Sequence, residues 1–211
     1  MELFFLIIIL ILIFSIVLHE IAHGWMANYL GDPTTKEAGR LTLNPFKHLD
    51  PLGSVILPFI LFLTRSNIMF GWAKPVPINP YLFRDKKYGE VKTAIAGPLA
   101  NIFIAVFFGL LIRFLPLLSL NNSLFVENLI MVFYYIVWIN LVLAIFNLIP
   151  IPPLDGSHIL FAFLPQSLNK IKFFLFQYGF IIFLFFIFYF FQYLTPIIEF
   201  AFFLITGHIF S

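Results

Sequence analysis

Apolar residues come in long runs separated by short polar stretches, and the run lengths predict helices that cross a membrane. From 3 to about 30 the chain is almost wholly apolar, enough for one span of the hydrocarbon core. Gly31-Asp32-Pro33 ends that run. Further spans are predicted at about 91–115, 125–149 and 173–194. Between the first two the pattern changes. Gly39-Arg40-Leu41-Thr42-Leu43-Asn44-Pro45 alternates like a short strand. The apolar stretch 52–63 is too short for a comfortable span and is interrupted by Pro58, so it reads as re-entrant or interfacial. Residues 65–88 are basic and rich in proline, which suits extended strands and turns at a membrane surface. After the third span, 159–164 is a short apolar piece. Pro196 breaks the fourth span, and 197–210 reads as a half-span or a surface helix. The pattern predicts an all-α polytopic membrane protein with one domain over 1–211. It has a three-helix core (about 3–30, 91–115 and 125–149) and C-terminal helices at about 173–194 and 197–210. A small membrane-associated β element is expected in the region 34–88, between the first and second core helices.

Composition strengthens the membrane reading. Of 211 residues, 62% are hydrophobic and only 10% are charged, against about 25% charge in a soluble domain. There is no cysteine, so neither a disulfide nor a thiolate metal site is available. The first run lacks a basic flank and is too long for a signal peptide. The net charge of +2 gives no sign of a nucleic-acid partner; its distribution says more. No Lys or Arg precedes the first span. If 52–63 does not cross, eleven of the twelve basic residues fall on one side, with Arg113 the exception. The positive-inside rule makes that side cytoplasmic and puts the N-terminus outside, in a multi-pass protein of the cell membrane.

The candidate chemistry lies in the first run. His19-Glu20-Ile21-Ala22-His23 puts two imidazoles one helical turn apart on one face, a spacing that can grip one Zn²⁺. Glu20 then stands beside the metal, placed to take a proton from an activated water. A solvated helix face could also carry two His and a Glu. In this run, however, Ser15 is the only polar side chain between 3 and 18, and ionisable groups in membrane helices mark functional sites.

Catalytic zinc takes three protein ligands and a water. The candidates for the third are His48, His158, His208 and the acids, and Asp155 is the best placed. It follows the third span at the end where the first span also finishes. The His pair lies about 12–18 Å in from Gly31 at the helical rise per residue. The turn Pro150-Ile151-Pro152-Pro153-Leu154 would let Asp155 reach that depth on irregular backbone. An Asx turn or a helix cap before Gly156 would use the same residue. Asn147 could bind a substrate carbonyl or an oxyanion, or simply another helix. Gly97 and Asn101, in Ala94-Ile95-Ala96-Gly97-Pro98-Leu99-Ala100-Asn101, belong either to a packing seam or to a surface that admits an extended peptide.

His19-Glu20-x-x-His23 in a first membrane helix, with Asn147…Pro150-x-Pro152-x-Leu154-Asp155-Gly156 after a later one, resembles the site-2 protease family of intramembrane zinc metalloproteases (peptidase family M50). Gly71-Trp72-Ala73-Lys74-Pro75-Val76-Pro77 and Ala96-Gly97-Pro98-Leu99-Ala100-Asn101 are also similar to members that lack accessory domains. The resemblance implies one zinc per chain on His19, His23 and Asp155, with Glu20 as general base. It implies Asn147 at the substrate or transition state, and single-span membrane proteins in the bilayer as substrates. No helix before the motif, PDZ-like domain or CBS pair is evident. A membrane metal transporter using the same His/Asp cluster is the alternative, and a passive binder of membrane helices is a third reading. The segments 39–45 and 70–78 would offer strand edges to an unwound substrate, or only cover the site.

Overall fold

The computed structural model describes residues 2–56, 60, 63–64, 73–115 and 124–210. Helix α1 (Glu2–Tyr29) is followed by the single turn α2 (Thr34–Glu37), then α3 (Gly89–Phe114), α4 (Leu124–Asn147), α5 (Asp155–Phe163), α6 (Asn169–Phe190) and α7 (Thr195–Thr206). Among the described residues, four helices are long and apolar enough to cross a membrane: Phe4–Tyr29, Gly89–Phe114, Val126–Asn147 and Asn169–Tyr193. In lipid a chain must satisfy its backbone internally, so such runs become helices.

α1, α3 and α4 pack together as the core. On α1, Ser15, His19, His23 and Ala27 recur every fourth residue and all are buried, while Leu6, Leu10, Phe14 and Trp25 face outward. α3 meets α1 through small residues, with Ala94, Ala96, Gly97 and Pro98 buried. The turn before it is held by Asp85, whose Oδ1 accepts the N–H groups of Lys87 (3.1 Å) and Tyr88 (2.9 Å). The Lys92 ammonium beside it holds the Asp85 carboxyl below its ordinary range. α7 packs one face on the core and leaves Ile197, Phe200, Phe203 and Leu204 exposed on the other. Ile198 and Phe202 bury against Ala105 and Ile112 of α3 and Val137 and Leu141 of α4. α6 stands outside this core, and its Phe183 ring lies 5.8 Å from that of Phe146 on α4.

The expected β element is not supported. Among the described residues there is no strand, only one isolated antiparallel bridge, Leu49 with Ala73. In 39–45 the alternation in sequence builds no strand. Arg40 is buried and donates to the Lys74 carbonyl (2.7 Å), and Asn44 caps the 3-10 turn Pro45–Lys47. Residues 73–79 are extended, but Pro75 and Pro77 lack the N–H groups a ladder needs. Side chains bind this strap instead. Thr35 Oγ1 donates to the Pro77 carbonyl (2.7 Å), and Asp32 Oδ2 accepts the Asn79 N–H (2.6 Å). The re-entrant stretch expected at 52–63 begins as π-helix, Pro51–Ile56. Most of its remainder, with Arg65, Gly71 and Trp72, lies outside the described residues.

Candidate metal centre and active site

α1 and α3 fix the two imidazoles from behind. His19 Nδ1–H donates to Asn101 Oδ1 (2.6 Å) and His23 Nδ1–H to the Thr93 carbonyl (2.7 Å). A neutral ring that donates from Nδ1 keeps its lone pair on Nε2. The two Nε2 atoms lie 3.0 Å apart. Gly97 makes this possible: a Cβ there would lie 2.7 Å from His19 Cε1 and closer still to His23.

The turn after α4 brings in the third group. Leu154 N–H donates to the Ile151 carbonyl (2.9 Å), and Asp155 opens α5 directly afterwards. α5 starts hard against the end of α4. A Cβ on Gly156 would come within 2.5 Å of the Ile149 carbonyl oxygen, so only glycine lets the chain fold back at this point. Asp155 Oδ2 arrives 3.1 Å from His19 Nε2 and 3.2 Å from His23 Nε2.

With both rings neutral, three electron-pair donors converge with no proton to share, and Asp155 Oδ2 is buried without a hydrogen-bond partner. Such a cluster fits a cation. Corners of a coordination tetrahedron of about 2 Å radius are roughly 3.3 Å apart, close to the spacing of these donors. Two neutral imidazoles and a carboxylate form a zinc donor set that leaves one position open.

These groups line a cavity of about 650 Å³. Glu20, Asn147 and His158 share its wall, with Phe83, Phe146, Phe180 and Phe183 on the apolar side. Glu20 Oε2 accepts the Val76 N–H (2.9 Å), so the strap 73–79 runs past the carboxylate and orients it. Asn147 spends one amide hydrogen on the Leu143 carbonyl (3.0 Å). His158 is outside the metal cluster. His48 sits in the loop against the Thr42 carbonyl, and His208 packs on the Tyr134 ring. Gly97 and Asn101 line no part of the cavity; they stand behind the imidazoles. The Thr93 carbonyl and the Val76 N–H are partners that the sequence does not flag, because both are main-chain groups.

The model of peptidase family M50 matches residues 82–190. The chain belongs to that family. The match takes in Asn147 and Asp155, while the His pair lies before it. Over 179 residues the chain is 39% identical to "Putative zinc metalloprotease YwhC" of Bacillus subtilis, covering 84% of this chain and 78% of that protein. It is 32% identical over 147 residues to "Putative zinc metalloprotease Rip2" of Mycolicibacterium smegmatis, covering 67% of this chain and about half of that relative's length (51%). No solved structure matches. The M50 family and the four apolar spans make this an integral membrane protein.

Proposed function

We propose that this M50 member is a zinc endopeptidase that hydrolyses membrane proteins within or beside their transmembrane segments. The observation that carries the reading is the convergence of His19, His23 and Asp155 on one point of a cavity whose wall also holds Glu20. The names of the two relatives support zinc and proteolysis.

His19, His23 and Asp155 would hold the zinc. When bound there, zinc supplies a Lewis acid that acidifies water and polarises a carbonyl. Glu20 takes a proton from the attacking water, whose oxygen bonds to the scissile carbonyl carbon. As the C–N bond breaks, Glu20 returns the proton to the leaving amine. The Val76 N–H keeps the Glu20 carboxylate aimed during both transfers. Asn147 has a second amide hydrogen to give, and from the cavity wall it would meet the oxygen on which charge develops. A substrate helix must unwind first, because its carbonyls are tied up in i→i−4 bonds. The basic loops argue that the N-terminus lies outside and the site opens towards the cytoplasm.

The test is Glu20→Gln in the purified full chain with a model single-span substrate. Zinc content should not change, and cleavage should fall by at least ~10²-fold. Uncut substrate should co-purify with the variant. Cleavage equal to the parent's would rule out Glu20 as the base.

A further inference from the structure

Ser15 and Asn140 are polar residues in the apolar interiors of α1 and α4. Neither lines the catalytic cavity, and the proposed reaction uses neither. Both are buried, Asn140 completely. Buried amides are held by their hydrogen bonds, so each N–H and C=O can be accounted for.

The accounting has a direction. Asn140 Nδ2 donates to the Ile136 carbonyl (2.8 Å) and to Ser15 Oγ (2.9 Å). A backbone carbonyl can only accept, so this side of the amide must be the NH₂. Asn140 Oδ1 is thereby turned to Asn101, whose Nδ2 donates to it (2.8 Å) and to the Ser15 carbonyl (3.3 Å). With both its hydrogens spent, Asn101 presents Oδ1 to His19 and accepts the ring's Nδ1–H. The His19 proton is thus on Nδ1, and the Nε2 lone pair faces His23 and Asp155. A reversed Asn101 would set NH₂ against His19 and force the ring proton onto Nε2, into the space between those two groups.

We propose that Asn140 and Ser15 are positioning residues: with Asn101 they form a buried relay, polarised by two backbone carbonyls, that holds His19 in the tautomer able to ligate zinc. The proposal rests on the reading of His19 as a metal ligand. It links three core helices to one ring, because the relay exists only when α1, α3 and α4 are packed together. Asn140 is two hydrogen bonds from His19 and touches neither metal nor substrate.

The experiment uses the full chain in detergent, stripped of metal and titrated with Co²⁺ by absorbance and with Zn²⁺ against a chromophoric chelator. The parent should bind one metal per chain. Asn140→Leu, close in volume but unable to hydrogen-bond, should weaken binding by roughly 10–100-fold, as loss of an outer partner of a metal ligand does. Ser15→Ala should weaken it less. In an Asn101→Leu background, adding Asn140→Leu should cost nothing more, because the relay is already cut; a merely structural role would add its full effect there. Affinities within about twofold of the parent, or losses that simply add, overturn the relay. Should Asn140→Leu fail to fold, Ser15→Ala and its double variant with Asn101→Leu complete the same cycle. A parent that binds no metal would overturn the metal-centre reading itself, and the relay with it.

Discussion

Gly97 of α3 lies flush against His23 of α1, leaving no room for a methyl group between helix backbone and imidazole. A glycine in the middle of a spanning helix is therefore a fitting part of the candidate centre. Gly97→Ala must push the rings forward or the helices apart. Overpacking of this kind costs about 1–3 kcal/mol. The expected result is a lower melting temperature together with at least ~10-fold weaker zinc binding, both measured on the purified chain. Unchanged zinc affinity would show that the rings have slack.

The three ligands can be tested one at a time. His19→Ala, His23→Ala and Asp155→Ala should each weaken zinc binding by more than the ~10–100-fold that an outer partner costs. Zinc per chain after dialysis against a chelator reads this directly. His158→Ala lines the same cavity but lies outside the cluster, and should keep its zinc. Full retention in Asp155→Ala would move the third ligand elsewhere.

The Val76 N–H predicts an effect that only one substitution can have. Val76→Ala keeps the main-chain donor to Glu20, whereas Val76→Pro removes it. A hydrogen bond to a charged group contributes about 1.5–3 kcal/mol. Val76→Pro should therefore lose roughly 10–100-fold in kcat with zinc retained, and Val76→Ala should resemble the parent. Equal turnover in both would show that Glu20 does not need the strap.

Orientation can be read by labelling, since the chain has no cysteine of its own. Single cysteines at exposed Lys36, Lys47 and Lys86 should be reached by an impermeant reagent from one face, and a cysteine at Asn122 from the other. Labelling of Lys47 and Lys86 positions from opposite faces would mean that the chain between them crosses the membrane.

How far the chain could be read before folding differs from residue to residue. The four long helices were legible because lipid leaves an apolar run few alternatives, and their ends fall within a few residues of the pattern's own breaks, Gly31-Asp32-Pro33 among them. The strand expected at 39–45 failed because side chains that alternate in sequence need not alternate in burial: Arg40 is buried, while Leu43 and Asn44 are both exposed. Arg40 is hidden to bind the strap, not to face a sheet. Asn101 was visible as a polar residue in an apolar helix, but its partner was not. It could have faced a substrate, and here it faces His19 on the neighbouring helix α1. Val76 gave no signal, since its contribution is a backbone amide that any residue but proline carries.

Asp155 sits at the start of a short helix that follows a proline turn, whereas His19 and His23 belong to the first helix of the chain. A cation held by all three would cross-link those distant segments and close most of the core into a ring. Closing a long loop removes freedom from the unfolded chain as a disulfide does, in a protein that has no cysteine to make one. A ligand at 100 times its dissociation constant adds about 2.7 kcal/mol to the folded state. Chelation would then do more than silence the chemistry: α5 and the turn before it would lose their tie to α1 and become the first place for a protease to cut this protease.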